Sequence, residues 1–145
     1  MNDNFYVIGV AGYCAPTKFD WVEAWNLVSS ALDRVALRKG KDQKIMVLGG
    51  LTDISSIHQI AYYVAKQRGW NVGGIACDKA KNYKWLPMSS DGDVLHISGE
   101  NWGDESVEFI NRCDALIRVG GGKQAHNEID LARVKGIVIE EAEIK

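Results

Sequence analysis

Short runs of apolar residues alternate with longer segments whose apolar residues return every three or four positions. Phe5-Tyr-Val-Ile-Gly-Val-Ala11 is a continuous apolar run that stops at Gly12, the pattern of a strand buried on both faces. A turn from Gly12 to Phe19, containing Pro16 and Lys18, precedes a predicted helix. Asp20 is its N-cap, with Glu23 three residues on in capping-box spacing, and Trp21, Ala24, Trp25, Val28, Leu32 and Val35 form one face. Basic residues and Gly40 close it. The pattern then repeats. Ile45 to Leu48 predicts a second strand, stopped by Gly49-Gly50. Thr52 or Asp53 is the expected cap of a helix carrying Ile57, Ile60, Ala61, Val64 and Ala65, and Gly69 ends it.

Val72 to Cys77 predicts a third strand, and the polar stretch 78–93 with Pro87 a long loop, either a flap near the site or a surface excursion. Val94 to Ile97 predicts a short strand. Asn101 to Asp104 leads into a helix near 105–112, and Ala115 to Val119 is another buried strand, ended by Gly120-Gly121-Gly122. A helix from about Gln124 to Val134, stopped by Gly136, and a last strand at Ile137 to Ile139 complete the chain. Strands alternating with helices predict an α/β fold: a Rossmann-like open parallel sheet flanked by helices on both faces. With 145 residues and no linker, repeat or low-complexity tract, residues 1–145 are expected to form a single domain.

Composition narrows the function classes. The formal net charge is −2 with both signs scattered, which supplies no electrostatic footprint for nucleic acid or an anionic membrane. No apolar stretch is long enough to span a bilayer, and the polar Met1 to Asn4 lack the basic region of a signal peptide. Cys14, Cys77 and Cys113 are odd in number and far apart, as expected of buried thiols in a reducing cytosol, so the expected location is cytoplasmic. His58, His96 and His126 have no metal-ligand spacing, so no metal site is expected, and nothing implies a cofactor. No Walker-type loop or nucleophile elbow occurs.

Three segments share one arrangement: a buried strand, then glycines or small polar residues, then a helix N-terminus. They are Gly12 to Lys18, Gly49 to Asp53 and Gly120 to Gln124. In an open α/β sheet all three fall at the edge where ligands bind. Helix N-termini carry unpaired N–H groups and a partial positive charge, and glycines let the backbone approach a phosphate closely. The expected nucleotide-binding residues are therefore Gly12, Lys18, Gly49, Gly50, Thr52, Asp53, Gly120, Gly121, Gly122, Lys123 and Gln124.

Glu128, one to two turns into the last major helix, is placed to accept hydrogen bonds from ribose hydroxyls. It is equally placed to stabilise positive charge on a ribosyl carbon during N-glycosidic cleavage. Asn101-Trp102-Gly103-Asp104-Glu105-Ser106 adds further candidates. Asn101 and Trp102 are expected at the ligand, with Trp102 either stacking on a base or packing in the core. Asp104 is either an N-cap or, like Glu105, a group that binds a ribose, an amine or a metal, or that orients water or protonates the base as a catalytic partner of Glu128.

These residues resemble the LOG/SLOG superfamily of Rossmann-like nucleotide-binding proteins, whose members carry a P-G-G-x-G-T-x-x-E segment. Gly120 stands at the proline, Gly121-Gly122 match the two glycines and Glu128 matches the glutamate at the same spacing; Gln124 and Ala125 replace the Gly-Thr pair. Leu48-Gly49-Gly50 and Asn71 to Ala76 look like the family's earlier glycine turn and strand. Cys113-Asp114-Ala115-Leu116-Ile117 is similar to the strand leading into its main motif. By spacing, Glu105-Ser106 occupies the place of the Arg-Lys pair of the phosphoribohydrolases.

The resemblance implies a small-molecule nucleotide partner and a homodimer or larger homo-oligomer. Three functions are expected in descending order. The first is binding of a ribosyl-phosphate ligand such as ADP-ribose or a nucleoside monophosphate, sensing or sequestering a nucleotide signal as superfamily members do in bacterial defence and phage settings. The second is hydrolysis or transfer of an N-glycosidic bond through Glu128. The third is a non-catalytic oligomeric scaffold.

Overall fold

A computed structural model describes residues 4–13, 17–50, 56–79 and 94–144. Six strands, β1 (Phe5–Gly12), β2 (Lys44–Gly49), β3 (Asn71–Ala76), β4 (Val94–Ile97), β5 (Ala115–Val119) and β6 (Val138–Ala142), form one sheet in the order β4-β3-β2-β1-β5-β6. Every pairing is parallel. The helices among the described residues are α1 (Trp21–Ala36), α2 (Ile57–Gln67), α3 (Ser106–Arg112) and α4 (Lys123–Lys135). The fold is the α/β arrangement expected, an open parallel sheet covered by helices on both faces.

Strand alternation explains the two-sided burial. Ile8, Val10, Ile45, Val47, Ala115 and Ile117 point to the face covered by α1 and α2. Val7, Ala11, Met46, Leu48 and Leu116 point to the opposite face, packed by Phe109 and Ile110 of α3 and Ile129 and Ala132 of α4. Winding proceeds outward from β1 through β2, β3 and β4, then returns to β5 on the other side of β1. The ends of β1 and β5 therefore meet at the point where strand order reverses, the place where open α/β sheets leave a crevice. Asp114 extends that seam. Its carboxylate accepts the Val7 N–H and its own N–H donates to the Val7 carbonyl, both at 2.8 Å.

Two boundaries differ clearly from expectation. The cap of α2 is Ser56, whose hydroxyl accepts the Gln59 N–H at 3.0 Å, rather than Thr52 or Asp53, which lie outside the described residues. The Ile57 N–H donates to the Tyr13 carbonyl at 2.9 Å, so a contact with the end of β1 sets where α2 begins. Strand β6 runs on to Ala142 because its Glu140 and Glu141 meet Arg34, Arg118 and Arg133. Of the expected loop, residues 80–93 lie outside the described residues.

Candidate functional site

A pocket of about 350 Å³ opens over the C-terminal ends of β1, β2 and β3. Its walls include Gly12, Gly49, Gly50, Gly122, Lys123, Gln124, Glu105 and Glu128 among the residues singled out in the sequence. Tyr13, Thr17, His58, Ile75, Phe109 and Ala125 join them.

Helix α4 points its N-terminus at this pocket. Helix α1 is capped by Asp20, whose carboxylate accepts the Glu23 N–H at 2.9 Å, and α2 by Ser56. At α4 the N-cap is Gly122, which has no side chain to accept the first N–H groups, and its first turn contains no acidic residue. The donors that a side chain satisfies elsewhere are thus left to a ligand or to water. Two glycines make the approach possible. Gly121 has φ +103°, and a Cβ there would lie 2.6 Å from the Ala125 Cβ and 3.1 Å from the Gly12 Cα. A Cβ at Gly12 would in turn strike the Val119 carbonyl and Ile57.

Gly120, expected at the phosphate, is placed otherwise. Its N–H donates to the Ala142 carbonyl at 2.9 Å, and its carbonyl accepts from the Arg118 guanidinium at 2.7 Å. That guanidinium is 5% exposed and also pairs with Glu141 and Glu143. Of the three glycines only Gly122 lines the pocket. Gly120 and Gly121 instead shape the loop that delivers it.

Beside the first turn of α4 the pocket is acidic. Glu105 and Glu128 are each 6% exposed. The Ser106 hydroxyl donates to Glu128 Oε2 at 2.8 Å. The Gln124 amide bridges the two acids, donating to Glu105 Oε1 at 3.0 Å and to Glu128 Oε2 at 3.4 Å. Glu105 also accepts the Gly103 N–H at 3.1 Å. Burial pushes the Glu128 carboxyl up to about 7; the Ser106 and Gln124 hydrogen bonds oppose the rise and the nearby Glu105 charge adds to it. The positions that resemblance aligns with an Arg-Lys pair thus hold an acid and a hydroxyl that engage Gln124 and Glu128. Across the pocket, the His58 ring lies against the Gly49-Gly50 backbone, and burial lowers it to about 4, leaving it neutral. The Tyr62 hydroxyl donates to the Gly50 carbonyl and fixes that turn.

Other expected site residues fall elsewhere. Lys18 is exposed and does not line the pocket, whereas Thr17 does. Asn101 and Trp102 are exposed and lie off the pocket, so Trp102, at 50% exposure, belongs to neither the core nor the pocket wall. The Asp104 carboxylate accepts the Glu100 and Asn101 N–H groups at 3.1 and 2.9 Å, which ties it to its own turn instead of to Glu128. Thr52 and Asp53 lie outside the described residues. Tyr13 and His58 carried no signal in the sequence beyond adjacency: Tyr13 follows the last residue of β1, and His58 is second in α2, so both sit at the strand ends. Among the described residues no group of three His, Cys, Asp or Glu side chains is arranged to hold a metal ion, and no helix is long and apolar enough to cross a membrane.

No protein-family model matches the chain, and no curated protein does. Solved structures do. A structural-genomics target, TM1055, is 22% identical over 92% of this chain and 71% of its own, with a TM-score of 0.67. The molybdenum cofactor carrier protein MCP from Chlamydomonas reinhardtii is 17% identical, with coverage of 93% and 74% and a TM-score of 0.67. The molybdenum cofactor binding protein from Rippkaea orientalis is 17% identical, with coverage of 96% and 77% and a TM-score of 0.64. The fold is Rossmann-like. At these identities the likeness establishes the Rossmann-like architecture, of the kind that the LOG/SLOG resemblance implied, and leaves the family open.

Proposed function

We propose that this Rossmann-like chain binds a phosphorylated small molecule, with its phosphate on the N-terminus of α4 and the remainder of the ligand running toward Glu105 and Glu128. The observation that carries the reading is the absence of a side-chain cap on α4 where it meets the pocket, beside Lys123. A nucleotide with a ribosyl phosphate, such as ADP-ribose or a nucleoside monophosphate, matches these demands. Two proteins of similar fold are named for carrying or binding the molybdenum cofactor, which is in keeping with a small-molecule site on this fold.

The substitution Gly122→Asp tests the reading. A Cβ at Gly122 meets nothing within 4 Å, and φ −99° suits any residue. An aspartate there caps α4 itself, stabilising the fold by about 0.5–1 kcal/mol, while its charge excludes phosphate. The expected result is a slightly higher melting temperature together with loss of the ligand-induced thermal shift from AMP, ADP-ribose and guanosine monophosphate. Undiminished nucleotide binding in Gly122→Asp would overturn the proposal.

A second reading, N-glycosidic cleavage, is favoured by one observation: Glu128 titrates near 7 beside a second buried acid, as general acid–base work requires. Release of free base from the same nucleotides, abolished by Glu128→Gln, separates turnover from binding.

A further inference from the structure

The acid end of the pocket has an unmet hydrogen-bonding demand. Every hydrogen bond to Glu128 among the described residues ends on Oε2. Oε1 of this buried side chain accepts none, although a buried carboxylate oxygen ordinarily has a donor. The donors that reach the Glu105–Glu128 pair are neutral: the Ser106 hydroxyl, the Gln124 amide and the Gly103 N–H. No side-chain cation is bonded to either carboxylate among the described residues. Two acids held together by neutral donors favour a ligand that brings several donors at once.

The walls beside them narrow the class. Ile75, Phe109 and Ala125 line the same pocket and are apolar, so the cavity offers apolar wall as well as carboxylate acceptors. A sugar diol has the donors but lacks flat apolar faces. A planar heterocycle with an N–H edge has both. Adenine sets a ring acceptor beside its amine, which the carboxylates repel once Glu128 is ionised, above about pH 7. An aminopyrimidinone ring, the part that guanine and pterins share, sets a ring N–H beside an exocyclic amine, two parallel donors for carboxylate oxygens.

We infer that the pocket takes a phosphorylated aminopyrimidinone, with the ring N–H and amine donating to Glu128 and Glu105. This rests on the proposed placement of phosphate at α4 and names the other half of the ligand. It also moves Glu128 from the ribose hydroxyls expected from sequence to the edge of the base.

Calorimetric titration of the full chain at about pH 8 with guanosine, inosine and adenosine monophosphates, neopterin monophosphate and ribose 5-phosphate tests it. Inosine monophosphate lacks only the exocyclic amine. Guanosine monophosphate or the pterin should bind at least about tenfold more tightly than inosine monophosphate, with adenosine monophosphate weaker still. In both Glu128→Gln and Glu105→Gln the preference should collapse; preference for one of the two leading compounds identifies a guanine nucleotide or a pterin as the source. Equal binding of the three purine nucleotides, or a preference that survives both substitutions, overturns the inference while leaving phosphate binding intact. Failure of every compound, ribose 5-phosphate included, overturns the phosphate reading and this inference with it.

Discussion

Glu128→Gln should make the protein more stable, and only above a certain pH. Burial raises this carboxyl from 4.5 to about 7. A raised carboxyl prefers its protonated form in the folded state, so its contribution is whole below pH 4.5. It erodes as pH climbs from 4.5 to about 7, where the unfolded chain has ionised and the folded one has not. Above 7 the loss is constant. The displacement corresponds to roughly 3 kcal/mol at 1.4 kcal/mol per tenfold. Glutamine has nearly the same volume and carries no charge, and its carbonyl oxygen can still accept from Ser106 at the Oε2 position. Its amide then takes the Oε1 place, where a buried N–H group without an acceptor costs about 1 kcal/mol.

The net expectation is a gain of about 1–3 kcal/mol at pH 8 that falls to nothing or reverses slightly at pH 4. Urea unfolding followed at half-unit steps from pH 4 to 8.5, for both proteins, measures it directly. A stability difference that is flat with pH, or a variant less stable than the parent at pH 8, would show that Glu128 is not a strained, desolvated acid and would remove the basis for its functional role.

The glycine loop and its support yield two more tests. Gly121→Ala forces φ +103° on a residue with a Cβ and drives that atom to 2.6 Å from Ala125; thermal melts should show a loss of about 2–3 kcal/mol, and nucleotide binding should vanish with it. Arg118→Met strands the Gly120 carbonyl, releases Glu143 and leaves Glu141 with Arg133 alone; a loss of about 1–3 kcal/mol and a several-fold weaker nucleotide affinity are expected, and an unchanged affinity would mean that the loop does not depend on this anchor.

The strands were legible because a parallel sheet buried on both faces demands apolar runs; residues 5–11 and 45–48 are such runs, and 115–119 is one broken only by Arg118. Helix α1 was equally legible, with its cap at Asp20 where the sequence places it. The start of α2 was not. Several polar residues precede Ile57, each able to cap, and the choice of Ser56 goes with a bond from Ile57 to the Tyr13 carbonyl some 44 positions away in sequence. The site divides in the same way. Gly12, Gly49, Gly122 and Glu128 reach the pocket through where their elements end, which periodicity reveals. Asp104 has the chemistry of a catalytic acid, but two N–H groups of its own turn claim its carboxylate first. Tyr13 and His58 gain their places only from tertiary packing at the strand ends.

Helix termini lend the proposed ligand site further support. At the N-termini of α1 and α2, the latter bordering the pocket through His58, and at the end of α3, side chains meet the orphan groups. Asp20 and Ser56 take N–H groups of α1 and α2, and the Lys135 ammonium donates to the Ile110, Asn111 and Cys113 carbonyls at the end of α3, at 2.8–3.0 Å. The N-termini of α3 and α4 are the exceptions: neither has a side-chain cap, and both adjoin the pocket through Glu105 and Gly122. A fold selected for stability alone would place aspartate at Gly122 and an apolar residue at Glu128, since each change removes a cost without enlarging the core. Both liabilities open onto one cavity, at the point where strand order reverses. That convergence is what a binding requirement produces, and it ties the gain in stability expected of Gly122→Asp and of Glu128→Gln to a loss of ligand in each case.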